Sequence, residues 1–339
     1  MPECPFVDHA MTIRSDGSVD PCCAWKNIDE PYTLYTDEQA WKSKFARIKE
    51  GLKDGWPTGC QECKLGEESG KTSMRSRAVD DRQFANAEGI EYWDFKLNVT
   101  CNLACKMCGA HSSSTWKREA FKHDEIAQTF HGAGMGKAKA FKEQDGLNIE
   151  YFYPYLLDAK TVKFTGGEPF LIPEVRKCVE YLVESEASHN IKLHFITNGT
   201  QDIESWMPIF KHFKCVWLTI SLDAKGELYE YIRAGASWNH VSNNLIKIRK
   251  SMMPNMKMVV TPLPMSLNYG RIKELTDWCD EHDIEWNESI DCISPAIMSP
   301  KAVHDQKLKS KLIQHLEMLD RIYGTDYKKV CPHLVDNNE

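Results

Sequence analysis

Trp93-Asp-Phe-Lys-Leu-Asn98, followed closely by Cys101-Asn-Leu-Ala-Cys105-Lys-Met-Cys108, decides how this chain is read. The first stretch is short, aromatic and apolar, the pattern of a β-strand. The second is a C-x3-C-x2-C run just past the strand's end. Three thiolates at this spacing can wrap one face of a cubane iron–sulfur cluster and leave one iron without a protein ligand, whereas four would close it. An open coordination position is what chemistry needs, as at catalytic zinc sites. The alternatives fit less well. A structural zinc site wants two C-x2-C knuckles, and no second pair follows closely. A c-type haem needs a histidine after the last cysteine, where Gly109 stands. A disulfide uses two cysteines, not three.

Working outward, further short strands are expected at 161–165, 192–197, 215–221, 256–261 and 284–290, alternating with helix-length patterns at 173–187, 201–212, 237–251 and 269–282. In the stretch 237–251, Val241, Leu245 and Ile248 fall on one face. Strand–helix alternation argues for a parallel sheet with helical crossovers. The expected fold class is therefore α/β: a partial (βα)6 TIM-like barrel over residues 90–295, with its site at the C-terminal ends of the strands. A small cysteine-rich hairpin domain (1–75) precedes it, and a helix with a loose polar tail (296–339) follows. Residues 130–147, glycine- and lysine-rich, read as an insertion.

The chain has 339 residues, 42% hydrophobic and 27% charged, which suits a globular protein with a full core. Its net charge of −7 gives no global pull toward phosphate backbones or anionic lipid, so nucleic acid is not the expected partner. No run of about 18 apolar residues suggests a membrane span, and Met1-Pro-Glu-Cys-Pro5 does not begin a signal peptide. A cytoplasmic, reducing location is expected. Of thirteen cysteines, the eight that cluster then read as metal ligands rather than disulfides. The scattered Cys178, Cys215, Cys279, Cys292 and Cys331 read as small packing hydrophobes.

The triplet resembles the signature of the radical S-adenosylmethionine (SAM) superfamily, with Met107 where that signature usually has an aromatic residue. The resemblance continues along 90–295. Thr165-Gly-Gly-Glu-Pro169 is similar to the family's GGEP motif, which implies that Gly166, Gly167, Glu168 and Pro169 hold the methionine end of SAM. Ile196-Thr-Asn-Gly199 and Ser221-Leu-Asp223 match positions of polar contact, implying roles for Asn198, Ser221 and, less directly, Asp223. Tyr231-Ile-Arg233-Ala-Gly235 resembles a segment whose arginine reaches the SAM carboxylate, a partner suited to the Arg233 fork. The resemblance implies a SAM-binding 4Fe–4S cluster on Cys101, Cys105 and Cys108, reductive cleavage of SAM, and hydrogen abstraction by a 5′-deoxyadenosyl radical. It also implies an external reductant such as flavodoxin or ferredoxin.

Upstream, Met11-Thr-Ile-Arg14 and Ser18-Val-Asp20 flank a Ser-Asp-Gly turn, a hairpin that brings Cys4 toward Cys22. Cys60-Gln-Glu-Cys63 adds a C-x2-C knuckle. Four thiolates suit a closed 4Fe–4S cluster or a Cys4 zinc, and spacing does not choose between them. The arrangement resembles the SPASM or shorter twitch domains of radical SAM enzymes, here ahead of the barrel instead of after it. This implies an auxiliary 4Fe–4S cluster on Cys4, Cys22, Cys60 and Cys63, with Cys23 a rival to Cys22. Relatives with such domains modify peptides or oxidise protein residues, so a peptide or protein side chain is the expected substrate. A small molecule is the alternative, and a non-catalytic iron–sulfur protein the remote one. Lys96, Asn98 and Glu288, near expected strand ends, read as barrel-lining polar groups.

Overall fold

A computed structural model describes residues 3–26, 33–84, 87–132, 147–287, 289, 291–292 and 294–335. Ten strands occur among them: β1 (Ala10–Ile13), β2 (Val19–Asp20), β3 (Tyr92–Phe95), β4 (Ala104–Cys105), β5 (Thr161–Phe164), β6 (Lys192–Thr197), β7 (Cys215–Ile220), β8 (Arg233–Ala234), β9 (Met256–Val260) and β10 (Glu285–Trp286). Eight form one sheet in the order β10-β9-β7-β6-β5-β3-β1-β2, and β4 pairs with β8 in a separate ribbon. The six strands expected from sequence are β3, β5, β6, β7, β9 and β10, and they lie in chain order across the sheet. The protein is thus mixed α/β with a mainly parallel central sheet, consistent with a partial TIM-like barrel.

By contacts the chain divides into two compact units. Unit 1 comprises Met1–Asn98, Glu143–Phe195 and Pro208–Val216; unit 2 comprises Val99–Lys142, Ile196–Met207 and Trp217–Glu339.

In unit 1 the expected hairpin forms: β1 runs antiparallel to β2 around Gly17, whose φ of 80° few residues but glycine adopt. What periodicity did not reveal is that β1 also pairs in parallel with β3, in the register Thr12↔Asp94 and Ile13↔Phe95. Pairing continues through β5 to β6, setting Asp94 opposite Lys163 and Lys163 opposite His194. Side chains alternate between the two faces of a strand. One face carries Ile13, Phe95, Phe164 and Phe195, all fully buried. The rings of Phe95, Phe164 and Phe195 stack in succession at 5.9 and 5.7 Å. The helix Pro173–Glu184, opened by a proline that suits a first helical turn, buries Val175, Cys178, Val179 and Leu182 at helical spacing. The other face is polar, and Lys163 meets Asp94 there in a buried ion pair at 2.7 Å.

In unit 2 the helices Trp238–Ser251 and Ile272–Glu281 match expectation, the first capped by Ser237. Three expectations need correction. The segment 201–212 is not one helix: a 3-10 turn at Glu204–Trp206 leads into Met207–Phe210, and Pro208 lacks the N–H a longer helix would use. The strand expected at 284–290 is reduced to Glu285–Trp286, both exposed; Glu288 and Ile290 lie outside the described residues. The described part of the tail after the helix Gln306–Tyr323, to Val335, is not loose, because Tyr327, Val330, Cys331 and Leu334 recur at helical spacing and are buried. Among the described residues, no helix is long and apolar enough to cross a membrane.

The Asp94–Lys163 pair yields a stability prediction. Asp94→Ala leaves a buried, uncompensated ammonium and should cost about 3–5 kcal/mol, while Asp94→Ala with Lys163→Met should recover most of that loss. Thermal unfolding followed by circular dichroism measures both. Equal destabilisation by the single and double variants would show that the charge is not what matters.

Candidate functional site

The cysteine run is positioned in unit 2 by the short ribbon. β4 and β8 pair antiparallel with Cys105 directly opposite Arg233. Gly235, just past β8, holds φ at 98°, and a Cβ there would stand 3.2 Å from the carbonyl oxygen of Asn102. Glycine is what lets this strand lie against the cysteine loop. Arg233 is buried; its Nη1 approaches Cys105 Sγ at 3.8 Å, and its Nη2 pairs with Asp223 Oδ2 at 2.8 Å. Burial alone would discourage the guanidinium charge, but Asp223 and the neighbouring cysteine sulfurs hold it firmly on. Asp223 is itself fully buried and accepts from Leu263 N through Oδ1.

Cys105 and Cys108 share a hydrogen bond between their sulfurs. That bond, with help from Arg233, pushes Cys108 below the ordinary thiol range, while it and burial push Cys105 up. One thiol of the pair is thus readied for deprotonation, which metal binding requires. Asn198 Nδ2 lies 3.9 Å from Cys101 Sγ and donates to Asn102 Oδ1 at 3.0 Å; its Oδ1 accepts from Thr200 N and Oγ1. The structure therefore gathers Cys101, Cys105, Cys108, Asn198, Asp223 and Arg233. Ser221 is half-buried and extends the sheet by donating its N–H to Thr197 O at 2.8 Å.

Residues that the sequence did not single out hold the loop's carbonyls. Thr115 Oγ1 and Ser114 Oγ donate to Cys101 O, Ser113 Oγ to Leu103 O, and Trp116 Nε1 to Cys105 O at 2.9 Å. Ser113 also caps the helix Ser114–Lys122. The run Ser112-Ser-Ser-Thr-Trp116 before a helical pattern was the legible signal for this. His131, assigned from sequence to the head of the insertion, is fully buried instead. It stacks on Trp116 at 3.7 Å, meets Cys108 O through Nδ1 at 2.6 Å, and meets His315 through Nε2 at 2.9 Å. Burial depresses both imidazoles, His131 to about 2 and His315 to about 4, so both are neutral near pH 7. Of the remaining insertion, residues 133–146 lie outside the described ones.

Unit 1 holds the other expected site residues. Gly166 adopts φ 110°, and a Cβ there would meet Asn98 O at 2.9 Å. Gly167 N donates to that same oxygen at 3.3 Å. Glu168 is fully buried with Oε1 accepting from Phe170 N, and Pro169 opens a 3-10 turn. Cys4, Cys22, Cys60 and Cys63 line one small cavity with Trp56 and Arg75. Gly59 is required beside it, since a Cβ would fall 2.5 Å from the Trp25 indole. Burial pushes Cys4 up to about 11 and Cys60 to about 12, and raises Cys22 and Cys63 as well. Cys23, the rival to Cys22, points elsewhere: its sulfur lies 3.6 Å from Lys163 Nζ and 3.7 Å from Met74 Sδ.

Among the described residues, no three cysteine, histidine or acidic side chains converge tightly enough for a single metal ion. Thiolates on one zinc must come within about 4 Å of each other, given Zn–S bonds of about 2.3 Å. A cubane takes each thiolate on a separate iron. The donor chemistry in unit 2 fits it: three cysteines, a fixed buried cation, and an Arg233 Nε that has no hydrogen-bond partner among the described residues.

His131→Ala would leave Cys108 O without its partner and open a cavity on Trp116, at a cost of about 2–4 kcal/mol. The expected result is a lower unfolding midpoint without metal and faster loss of iron to a chelator. Wild-type iron retention would mean that the ring does not hold the loop.

The family model of the radical SAM superfamily matches residues 96–279, more than half of the chain. No curated protein sequence matches. Similar solved structures include native anSMEcpe with bound AdoMet and Kp18Cys peptide (19% identity, TM-score 0.42, 60% of this chain and 51% of that one). Another is polyhistidine-tagged anSMEcpe with bound AdoMet (19%, 0.43, 68% and 60%). A third is Streptococcus suis SuiB bound to S-adenosylmethionine (13%, 0.40, 87% and 53%). The chain thus spans between half and three-fifths of the length of these structures. On the family match, the chain belongs to the radical SAM superfamily, enzymes that use SAM and a 4Fe–4S cluster.

Proposed function

We propose that this protein cleaves SAM reductively and uses the resulting radical to take hydrogen from a peptide or protein side chain. The observation that carries the reading is the Cys105–Arg233 ribbon, which places three cysteines beside one buried, carboxylate-anchored cation. Cys101, Cys105 and Cys108 would hold a 4Fe–4S cluster there, which, once reduced by an external donor, would supply the electron for cleaving SAM into methionine and a 5′-deoxyadenosyl radical.

The chain's own residues then have distinct tasks. Cys101, Cys105 and Cys108 are the cluster ligands. Arg233 offsets thiolate charge, and Asp223 keeps it in place. Asn198 is fixed by Asn102 and Thr200 with its amide toward Cys101, so it orients a polar ligand without reorganising. Ser221 is a further polar contact. The turn at Gly166 and Gly167 offers backbone for the amino-acid end of SAM, with Glu168 and Pro169 shaping it. In unit 1, Cys4, Cys22, Cys60 and Cys63 hold an auxiliary 4Fe–4S cluster, and the turned-away Cys23 favours Cys22 as the ligand.

The peptide assignment follows from the likeness of that four-cysteine arrangement to auxiliary-cluster domains. For comparison, SuiB has been solved with its precursor peptide SuiA.

Anaerobic reconstitution with iron and sulfide tests the whole reading. Two cubanes give about eight irons, falling to about four in Cys101/Cys105/Cys108→Ala, with 5′-deoxyadenosine formed by wild type only. About four irons with one zinc in wild type would make the unit 1 site structural. A loaded wild type that releases no 5′-deoxyadenosine under strong reduction would overturn the enzymatic reading. If mass spectrometry finds a metabolite changed and no peptide, the substrate is a small molecule.

A further inference from the structure

The polar face of the unit 1 sheet carries an assembly that the cofactor reading does not use. Thr12, Asp94, Lys163 and His194 stand opposite one another on four neighbouring parallel strands. Two residues further along, on the same face, come Arg14, Lys96 and Thr165. Lys96 N donates to Ile13 O, and Thr165 N to Phe95 O, each at 2.9 Å, so the ladder continues one step past the strand ends. Asp94 and Lys163 are buried, while Arg14 and Lys96 are partly exposed. The face is therefore a closed floor with an open rim. In barrels of this kind, the rim at the strand ends is where ligands sit.

The charges on this face do not balance. Asp94 is taken by Lys163 at 2.7 Å and by Thr165 Oγ1 at 3.2 Å. Asp20 is taken by Arg14 Nε at 2.5 Å and by Lys44 at 2.7 Å. Asp16 acts on Arg14 as well, so four cations share three carboxylates. Arg14 Nη2 donates to Trp25 O, which leaves Nη1 with no protein partner among the described residues. The Lys96 ammonium has no hydrogen-bond or ion-pair partner among them. A half-buried charge without a counter-ion is costly. Burial, Arg14 and Lys163 all push Lys96 below the usual lysine range, and a bound anion would relieve that. Lys96 also lies against Gly166, where a Cβ would stand 3.5 Å from its Cα. The rim thus adjoins the turn assigned to SAM.

We infer that Arg14 and Lys96 form a subsite for a carboxylate of the substrate, an acidic side chain or a chain terminus of a peptide. This rests on the reading above and narrows its substrate class. Two donors from two adjacent strands suit one planar carboxylate. Asp94 and Asp20 beneath them weigh against a doubly charged phosphate. Lys163 and Lys44 compensate the floor and are not donors to the ligand.

Competitive acylation of the reconstituted protein, read by mass spectrometry, tests this. The labelling rate of Lys96 is measured against exposed Lys53 as internal reference. Three probes are N-acetylglutamate α-methylamide for an acidic side chain, N-acetylglycine for a chain terminus, and inorganic phosphate. The carboxamide counterpart of the first, N-acetylglutamine α-methylamide, is the control. At least one carboxylate should slow Lys96 labelling saturably, at a concentration about tenfold or more below that needed for the carboxamide. The carboxylate that protects better identifies the source. Arg14→Gln should weaken protection about tenfold, and Arg14→Lys should restore part of it. Equal protection by carboxylate and carboxamide, no protection at all, or stronger protection by phosphate would each overturn the subsite. The wild-type 5′-deoxyadenosine assay separates the two claims. SAM cleavage without carboxylate protection sinks the subsite alone, and protection without cleavage sinks the enzymatic reading alone.

Discussion

Unit 2 depends on one buried interaction, the Arg233 guanidinium held between Asp223 and the Cys105 sulfur. Removing such a charge from water is costly, and it is tolerated because Asp223 is buried beside it and the backbone fixes both ends. Arg233 faces Cys105 across an antiparallel ribbon, so its position follows from strand register, not from a flexible side chain. The cation favours the ionised sulfurs that an iron cluster needs, and among the described residues Nε has no acceptor. A chain without this pair would have to gather three thiolates against their own repulsion.

The cysteine loop is held chiefly through its backbone. Carbonyls of Cys101, Leu103, Cys105 and Cys108 each receive a side-chain partner, which leaves the sulfurs available for other work. Buried carbonyls must be satisfied somewhere. Here the partners come from the start of one helix and from a neutral imidazole packed face to face on Trp116. Because burial keeps His131 and His315 uncharged, their contact carries no like-charge penalty near pH 7.

Unit 1 uses alternation for two ends. One face of its strands packs phenylalanines against Phe152, Phe170 and Phe210, and the other presents charges toward the strand ends. The same register that stacks Phe95 on Phe164 sets Asp94 against Lys163. Its cysteine cavity depends on Gly59 lying flat on Trp25, and the turn at Gly166 on close approach to Asn98. In both places a glycine is needed because backbone must come where a side chain would not fit.

By itself the sequence determined the six sheet strands and their order, the Cys101–Cys108 run, the Gly166–Pro169 turn and the hairpin at Gly17. These are local: spacing, alternation and turn chemistry act over a few residues and can be read without knowing what lies nearby. The missed elements are those whose cause is distant in the chain. The helix expected at 201–212 gave way to Pro208, and the polar-looking tail was drawn in by Tyr327, Cys331 and Leu334. His131 meets a partner 184 residues away, and Lys163 meets Cys23 across 140. Pairing of β1 with β3 joins residues about 80 positions apart and turns an expected separate hairpin into two more strands of the sheet. Only the tertiary structure could put Cys22 rather than Cys23 on the four-cysteine cavity, or leave Lys96 without a counter-ion among the described residues. Both outcomes depend on which way a side chain faces once distant strands have settled into register.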